Sequence, residues 1–295
     1  MTDQTDSRLA ENTMQPREIE INTGHMVFSA QEWGDPDGAP VLAFHGWLDN
    51  AASFAPLAAL LEGVRLISVD QAGHGRSQHR PAEMDYTLWN YTEDAIDIAD
   101  TLELDEFSLL GHSLGAAVST LTASVLGGRV KKMVLLDGLF PWPRSAEKSP
   151  DTLAEYIKQR KVFRKGKPVN RYRSLEHAVR IRCMGQFPVT RESSRLLVER
   201  ALYQDGDAWV WRTDPRLALP SPTRYTPEQA LSFIENIECE AHMIHARNGV
   251  VEQMVDTHRN RLNKVSFHSL EGSHHLHMDG QTRAVADIVN GVLAT

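Results

Sequence analysis

Short, largely apolar runs alternate with stretches of helical period along most of this chain, and that alternation limits the folds open to it. Runs at 40–45, 66–69, 107–110 and 130–136 are separated by helix-like stretches at 53–61, 90–102 and 114–126. A strand that is apolar on both sides cannot leave one face in water, and parallel neighbours need a crossover between them, so this rhythm predicts a parallel sheet covered by helices on both faces. Residues 18–22 and 26–32 read as a preceding strand pair, and residues 1–16 as a polar, flexible leader. After residue 137 the rhythm stops. Residues 138–236 are rich in Arg, Pro and helix formers, with a two-step apolar pattern only at Trp209 and Trp211. It resumes with 241–246, 251–262, 265–270 and 282–293. The expected organisation is therefore a leader (1–16), a first core segment (17–137), a mainly helical insertion (138–236) and a second core segment (237–295).

Charge and cysteine content narrow the function. Lys and Arg number 31 against 39 Asp and Glu, a net charge of −8 over 295 residues. That balance excludes a general nucleic-acid binder, which needs excess cations to displace phosphate counterions. No run approaches the ~18 apolar residues of a membrane span, and the N-terminus lacks the pattern of a secretion signal, so a cytoplasmic location is expected. Cys183 and Cys239 are far apart and outside any CxxC, so neither a disulfide framework nor a thiolate metal site is expected.

The chemistry concentrates in Gly111-His112-Ser113-Leu114-Gly115, a G-x-S-x-G sequence between the apolar run 107–110 and the small-residue helix 114–126. A serine on a sharp strand-to-helix turn needs neighbours without Cβ, and it then stands exposed at a helix N-terminus. Ser113 is the candidate nucleophile. It needs a base, and that base belongs on a loop after the last core strand, where Glu271-Gly272-Ser273-His274-His275-Leu276-His277 lies. His274 is preferred to His275 and His277. Clustered histidines can also share an ion, but no carboxylate or cysteine stands at companion spacing, so neither a metal nor an organic cofactor is expected.

An acid should orient the imidazole. The loop after the penultimate strand, 247–250, holds none. Asp137, at the end of the run 130–136, sits at the same sheet edge and is the candidate, with capping of the insertion as its alternative role and Asp256 and Glu252 as fallbacks inside a predicted helix. Backbone N–H groups of Leu114, after the nucleophile, and Trp47, after His45-Gly46, are the candidate oxyanion donors. His45 reads as a brace of that loop rather than a proton shuttle, and Asp49 and Asn50 either fix the loop or touch substrate, bracing being the commoner role.

HGWLDN at 45–50, SVDQAGHGRS at 68–77, GHSLG at 111–115 and GSHHLHM at 272–278 resemble the α/β-hydrolase fold superfamily over roughly residues 18–293. HGWLDNAASF, GHGRSQHRP, TDPRLALPSPTRYTPEQ and the acid-free loop at 247–250 are similar to the serine hydrolase-like proteins. The resemblance implies a mostly parallel, eight-stranded doubly wound sheet, a helical cap and a Ser-acid-His triad. It implies Ser113 as nucleophile, His274 as base, and Trp47 and Leu114 as oxyanion donors. Relatives that place the acid after the sixth strand support Asp137. Asp70 and His74 match positions that are structural in the superfamily.

The expected activity is a serine hydrolase, most specifically a carboxylic ester hydrolase. Hydrolysis of another acyl bond, or ligand binding with a vestigial triad, is the alternative. Pocket candidates are His112, Phe140 and Trp142, with Met184, Phe187, Trp209 and Trp211 either lining the site or gluing cap to core. A small ester or related acyl compound is the expected partner, with a homodimer as a further option and no nucleic acid or integral membrane association. The basic run at 158–173 reads as a solvated helix face, with steering of anionic substrates or a membrane surface as the alternative.

Overall fold

A computed structural model describes residues 15–166, 171–249 and 251–294. Residues 1–14 of the expected leader, 167–170 of the basic run and residue 250 of the acid-free loop lie outside them. The first half contains β1 (Arg17–Asn22), β2 (Val27–Gly34), β3 (Ala39–Phe44), α1 (Ala55–Ala58), β4 (Val64–Val69), α2 (Leu88–Thr101), β5 (Phe107–His112), α3 (Leu114–Leu126) and β6 (Val130–Leu136). The insertion contributes α4 (Ser149–Arg164), β7 (Arg171–Tyr172), α5 (Leu175–Cys183), α6 (Arg191–Ala201), β8 (Leu202–Asp205), β9 (Ala208–Trp211) and α7 (Pro227–Glu235). The chain then completes the core with β10 (Glu240–Ala246), α8 (Glu252–His258), β11 (Val265–Leu270) and α9 (Thr282–Leu293).

Eight strands form one sheet in the order β1-β2-β4-β3-β5-β6-β10-β11. β1, β2 and β4 pair antiparallel and every later neighbour is parallel. The apolar runs read as they do because successive residues serve opposite layers. Along β3, Leu42 and Phe44 face one core cluster and Val41 and Ala43 the other, and β5 and β6 divide Leu109 from Leu110 and Leu135 from Leu136 in the same way. Helices α2, α3 and α7 cover one face, and α1 and α9 the other.

The insertion departs from a purely helical reading. β7, β9 and β8 make a small antiparallel sheet, with Trp209 opposite both Tyr172 and Gln204. β8 carries little apolar pattern of its own. It exists because Gly206, at φ +60, turns the chain back so that Asp205 pairs with Ala208. The last helix of the stretch expected as cap, α7, packs Ala230, Leu231 and Ile234 into the main core. Ion pairs fasten the insertion to the core. From α6, Arg200 Nε donates to Asp70 at 2.9 Å and Nη1 to Glu18 at 2.7 Å, and from α5, Arg182 Nη2 donates to Asp49 at 2.8 Å. Among the described residues no helix is long and apolar enough to cross a membrane.

Candidate active site

β5 ends at His112 and α3 begins at Leu114, leaving Ser113 alone in the turn with φ 51° and ψ −109°. The motif glycines are there for proximity. A Cβ on Gly115 would lie 1.8 Å from the Phe44 carbonyl oxygen, and one on Gly111 would lie 2.5 Å from the Gly115 oxygen. Ser113 N–H donates to Leu136 O at 3.0 Å and Gly115 N–H to His45 O at 3.1 Å, so the elbow is pinned to β6 and to the end of β3.

His274 Nδ1 lies 2.6 Å from Asp137 Oδ2, and the other carboxylate oxygen accepts from Ala246 N–H at 2.9 Å. A carboxylate only accepts, so Nδ1 carries the proton and Nε2 is left with a free lone pair. The carboxylate thus reaches the imidazole from the end of β6, with the last residue of β10 as its support. The fallback acids are engaged elsewhere: Glu252 accepts from Asn248 N–H at 2.6 Å, and Asp256 pairs with Arg259 at 2.9 Å. Phe187 from the cap packs on the His274 ring at 4.2 Å between centroids. No hydrogen bond joins Ser113 to His274 among the described residues. Both line the same cavities, and such contacts commonly tighten only with substrate bound.

Gly46 O accepts from Asp49 N–H at 3.1 Å, closing a turn in which Leu48 has φ +63°. Of the five non-glycine residues with positive φ among the described residues, Leu48, Ser113 and Asp137 all line this site. Such backbone costs about 1–3 kcal/mol per residue and persists only where surroundings enforce it. Trp47 and Leu114 line the larger cavity with Ser113, and their amides have no acceptor among the described residues. Leu114 also opens a 13-residue helix, whose N-terminus favours negative charge.

Behind this shelf lies a group of residues that the sequence reading did not assemble. Asp49 Oδ1 accepts from Arg182, Oδ2 lies 3.0 Å from His275 Nε2, and His112 Nε2 donates to His274 O at 2.9 Å. Asp49 and His275 are 226 positions apart and Asp49 and Arg182 are 133 apart, so no local pattern could have joined them. Burial alone would raise the Asp49 carboxyl, but the hydrogen bond from His275 and the charges of His275 and Arg182 hold it far below the usual range. Burial, with the surrounding histidines, pushes His112 well below its ordinary value.

Burial also lowers His45 to about 4 and His74 to about 3, the latter helped by the neighbouring His45 ring. Backbone carbonyls of Gly46 and Ala72 and the carboxylates of Asp49 and Asp70 oppose the shifts without cancelling them. Both rings are neutral in the folded chain where the unfolded chain, with histidines near 6.5, already binds protons. Stability is therefore present above about pH 6.5 and is lost as pH falls toward the folded values. Each ring contributes a slope of about 1.4 kcal/mol per pH unit, so the pair should remove roughly 2–3 kcal/mol per unit between pH 4 and 6. Urea unfolding at stepped pH reads this directly, and a midpoint unchanged from pH 7 to 5 would contradict it.

Two cavities meet at Ser113 and His274, one of about 1060 Å³ and one of about 400 Å³. Phe140 and Trp142 line the larger, His112 and Trp211 the smaller, and Phe187 both. Met184 and Trp209 line neither: Met184 is exposed, and Trp209 packs against the small cap cluster.

The profile of a family described as alpha/beta hydrolase fold matches residues 39–216. A serine hydrolase-like protein of Dictyostelium discoideum is 26% identical over 289 residues, covering 92% of this chain and 79% of its own length. Serine hydrolase-like protein 2 of Homo sapiens is 27% identical over 303 residues, covering 93% and 92%. The crystal structure of a hypothetical protein from Pseudomonas aeruginosa PAO1 is similar at a TM-score of 0.88 and 40% identity, over 94% of this chain and 99% of that one.

Proposed function

Because this chain belongs to the α/β-hydrolase family and is a hydrolase of that fold, we propose that it cleaves carboxylic esters through an acyl-enzyme on Ser113. His274 Nε2 takes the proton as Ser113 Oγ attacks the ester carbonyl, and the oxygen that gains the negative charge is met by the amides of Trp47 and Leu114. The imidazolium that forms is stabilised by Asp137 through Nδ1–H. It then gives its proton to the departing alcohol, and the same base activates a water that releases the acid.

What supports this reading most is one convergence. A serine in a strained turn, an imidazole whose Nδ1 is tied to a buried carboxylate, and two residues whose amides lack acceptors all line one cavity. Phe140, Trp142 and Phe187 beside them favour an apolar acyl or alcohol group of modest size. The test is intact-mass analysis of the full-length protein after exposure to a fluorophosphonate probe, followed by a panel of esters of increasing acyl length. Single labelling with ester turnover is expected. A folded protein that takes up no probe and leaves every ester intact would favour a ligand-binding role for the same cavity.

A further inference from the structure

Of the ten buried side-chain polar atoms without a hydrogen-bond partner among the described residues, four are ring nitrogens of His112, His275 and His277, directly behind Ser113. Such atoms are costly in a protein interior, and four in one place call for a ligand or a solvent partner. His112 is the most informative. Its Nε2 faces the His274 carbonyl, which only accepts, so Nε2 carries the proton and Nδ1 presents a bare lone pair. That lone pair faces Asp49 Oδ2 at 3.8 Å, and a carboxylate oxygen has no proton to offer it. Gly46 leaves the space beside them open: a Cβ there would lie 2.8 Å from His112 Nδ1 and 3.0 Å from Asp49 Oδ2. His275 Nε2, 3.0 Å from the same oxygen, completes the group once its proton moves from Nε2 to the unpartnered Nδ1, and the three donors lie within 4.8 Å of one another.

We propose that Asp49, His112 and His275 bind one divalent transition-metal ion, zinc or copper(II), which enters through the cavity beside Ser113 and inhibits hydrolysis. Two imidazoles and a carboxylate suit these metals, with the cavity side open for a water ligand. Donors around a tetrahedral zinc stand about 3.3 Å apart, which the 3.0 and 3.8 Å separations bracket. The imidazole–imidazole edge is the long one, so a ring must swing to close the site. Arg182 keeps Asp49 Oδ1 and leaves Oδ2 to the ion, its nearby charge opposing tight binding. That makes the ion an inhibitor that loads at need, not a resident cofactor. Loading pulls on the turn that carries the Trp47 amide and on His112, whose ring holds the His274 carbonyl.

The binding half of this proposal stands on the donor set, and the inhibition half rests on Ser113 being the nucleophile. Zinc chloride titrated into the full-length protein should bind one ion per chain, by calorimetry and by metal analysis after dialysis. The same ion should slow fluorophosphonate labelling, and a chelator should restore it. Copper(II) loaded at one equivalent should show coupling to two nitrogens in its EPR spectrum, a readout that needs no variant. His275→Gln removes a direct ligand and should weaken zinc binding by more than the ~10–100-fold that loss of an outer-shell partner costs. Ser113→Ala should bind as the wild type does, so that a failed hydrolase reading leaves the binding result intact. His242→Gln is the control, because His242 and His268 pair at 3.0 Å on the sheet far along β10. Absence of stoichiometric binding, binding undiminished in His275→Gln, or binding lost in His242→Gln would each overturn the site. Binding without slowed labelling would overturn the inhibition.

Discussion

Ser113→Ala is expected to lower ester turnover by roughly 10⁵–10⁶-fold and to abolish fluorophosphonate labelling, while the protein stays folded. The magnitude follows from the chemistry. Without the hydroxyl there is no acyl-enzyme, and only positioning and the amides of Trp47 and Leu114 remain, which sustain roughly 10³–10⁴-fold over the uncatalysed rate. The fold should tolerate the change, because the structure gives the Ser113 hydroxyl no hydrogen bond among the described residues. The elbow is held through the backbone, by Ser113 N–H to Leu136 O and Gly115 N–H to His45 O. Turnover within tenfold of wild type would remove Ser113 from the mechanism and, if ligand affinity were also unchanged, would favour a binding protein.

Asp137→Asn is expected to lower kcat by roughly 10³–10⁴-fold with little change in KM. The carboxylate has two tasks, one for each oxygen: Oδ1 accepts from Ala246 N–H and Oδ2 receives the His274 Nδ1 proton. Asparagine keeps the first with its carbonyl oxygen and turns an NH₂ toward the ring. His274 must then accept at Nδ1 and carry its proton on Nε2, where it can no longer take one from serine. The fold is preserved and the tautomer is wrong. Because the three residues act as a unit, the double variant Ser113→Ala/Asp137→Asn should be no slower than Ser113→Ala alone. A near-normal kcat in Asp137→Asn would assign Asp137 to structure, and additive losses in the double variant would break the unit apart.

The candidate nucleophile and base were legible because each is announced locally. Gly111 and Gly115 flank Ser113 at distances set by a single turn, and the clash that each would make with a Cβ is with backbone a few residues away or on the next strand. Asp137 was legible by position, at the end of a strand pattern, once the loop at 247–250 was seen to lack an acid. The core strands were equally readable, since a sheet buried on both faces writes its apolar runs into contiguous sequence. β8 was not. Its polar residues take strand conformation only because Gly206 returns the chain and β9 supplies partners.

The residues that the sequence could not assemble are those joined across the longest separations. Asp49 was visible as part of the loop after β3, and His275 as a rejected neighbour of His274, but nothing near either announced the other or Arg182. Their contacts depend on the cap helix α5 lying against the shelf and on the loop after β11 folding beneath it. The sequence by itself therefore determined the sheet, its two covered faces, the elbow serine and the histidine loop, because periodicity and turn geometry act over a few residues. Only the tertiary structure decided which carboxylate meets which imidazole and where the insertion lies against the core. Hydrogen bonds and charge pairs are specified by distance in space, and a separation of 226 positions leaves no local trace of it.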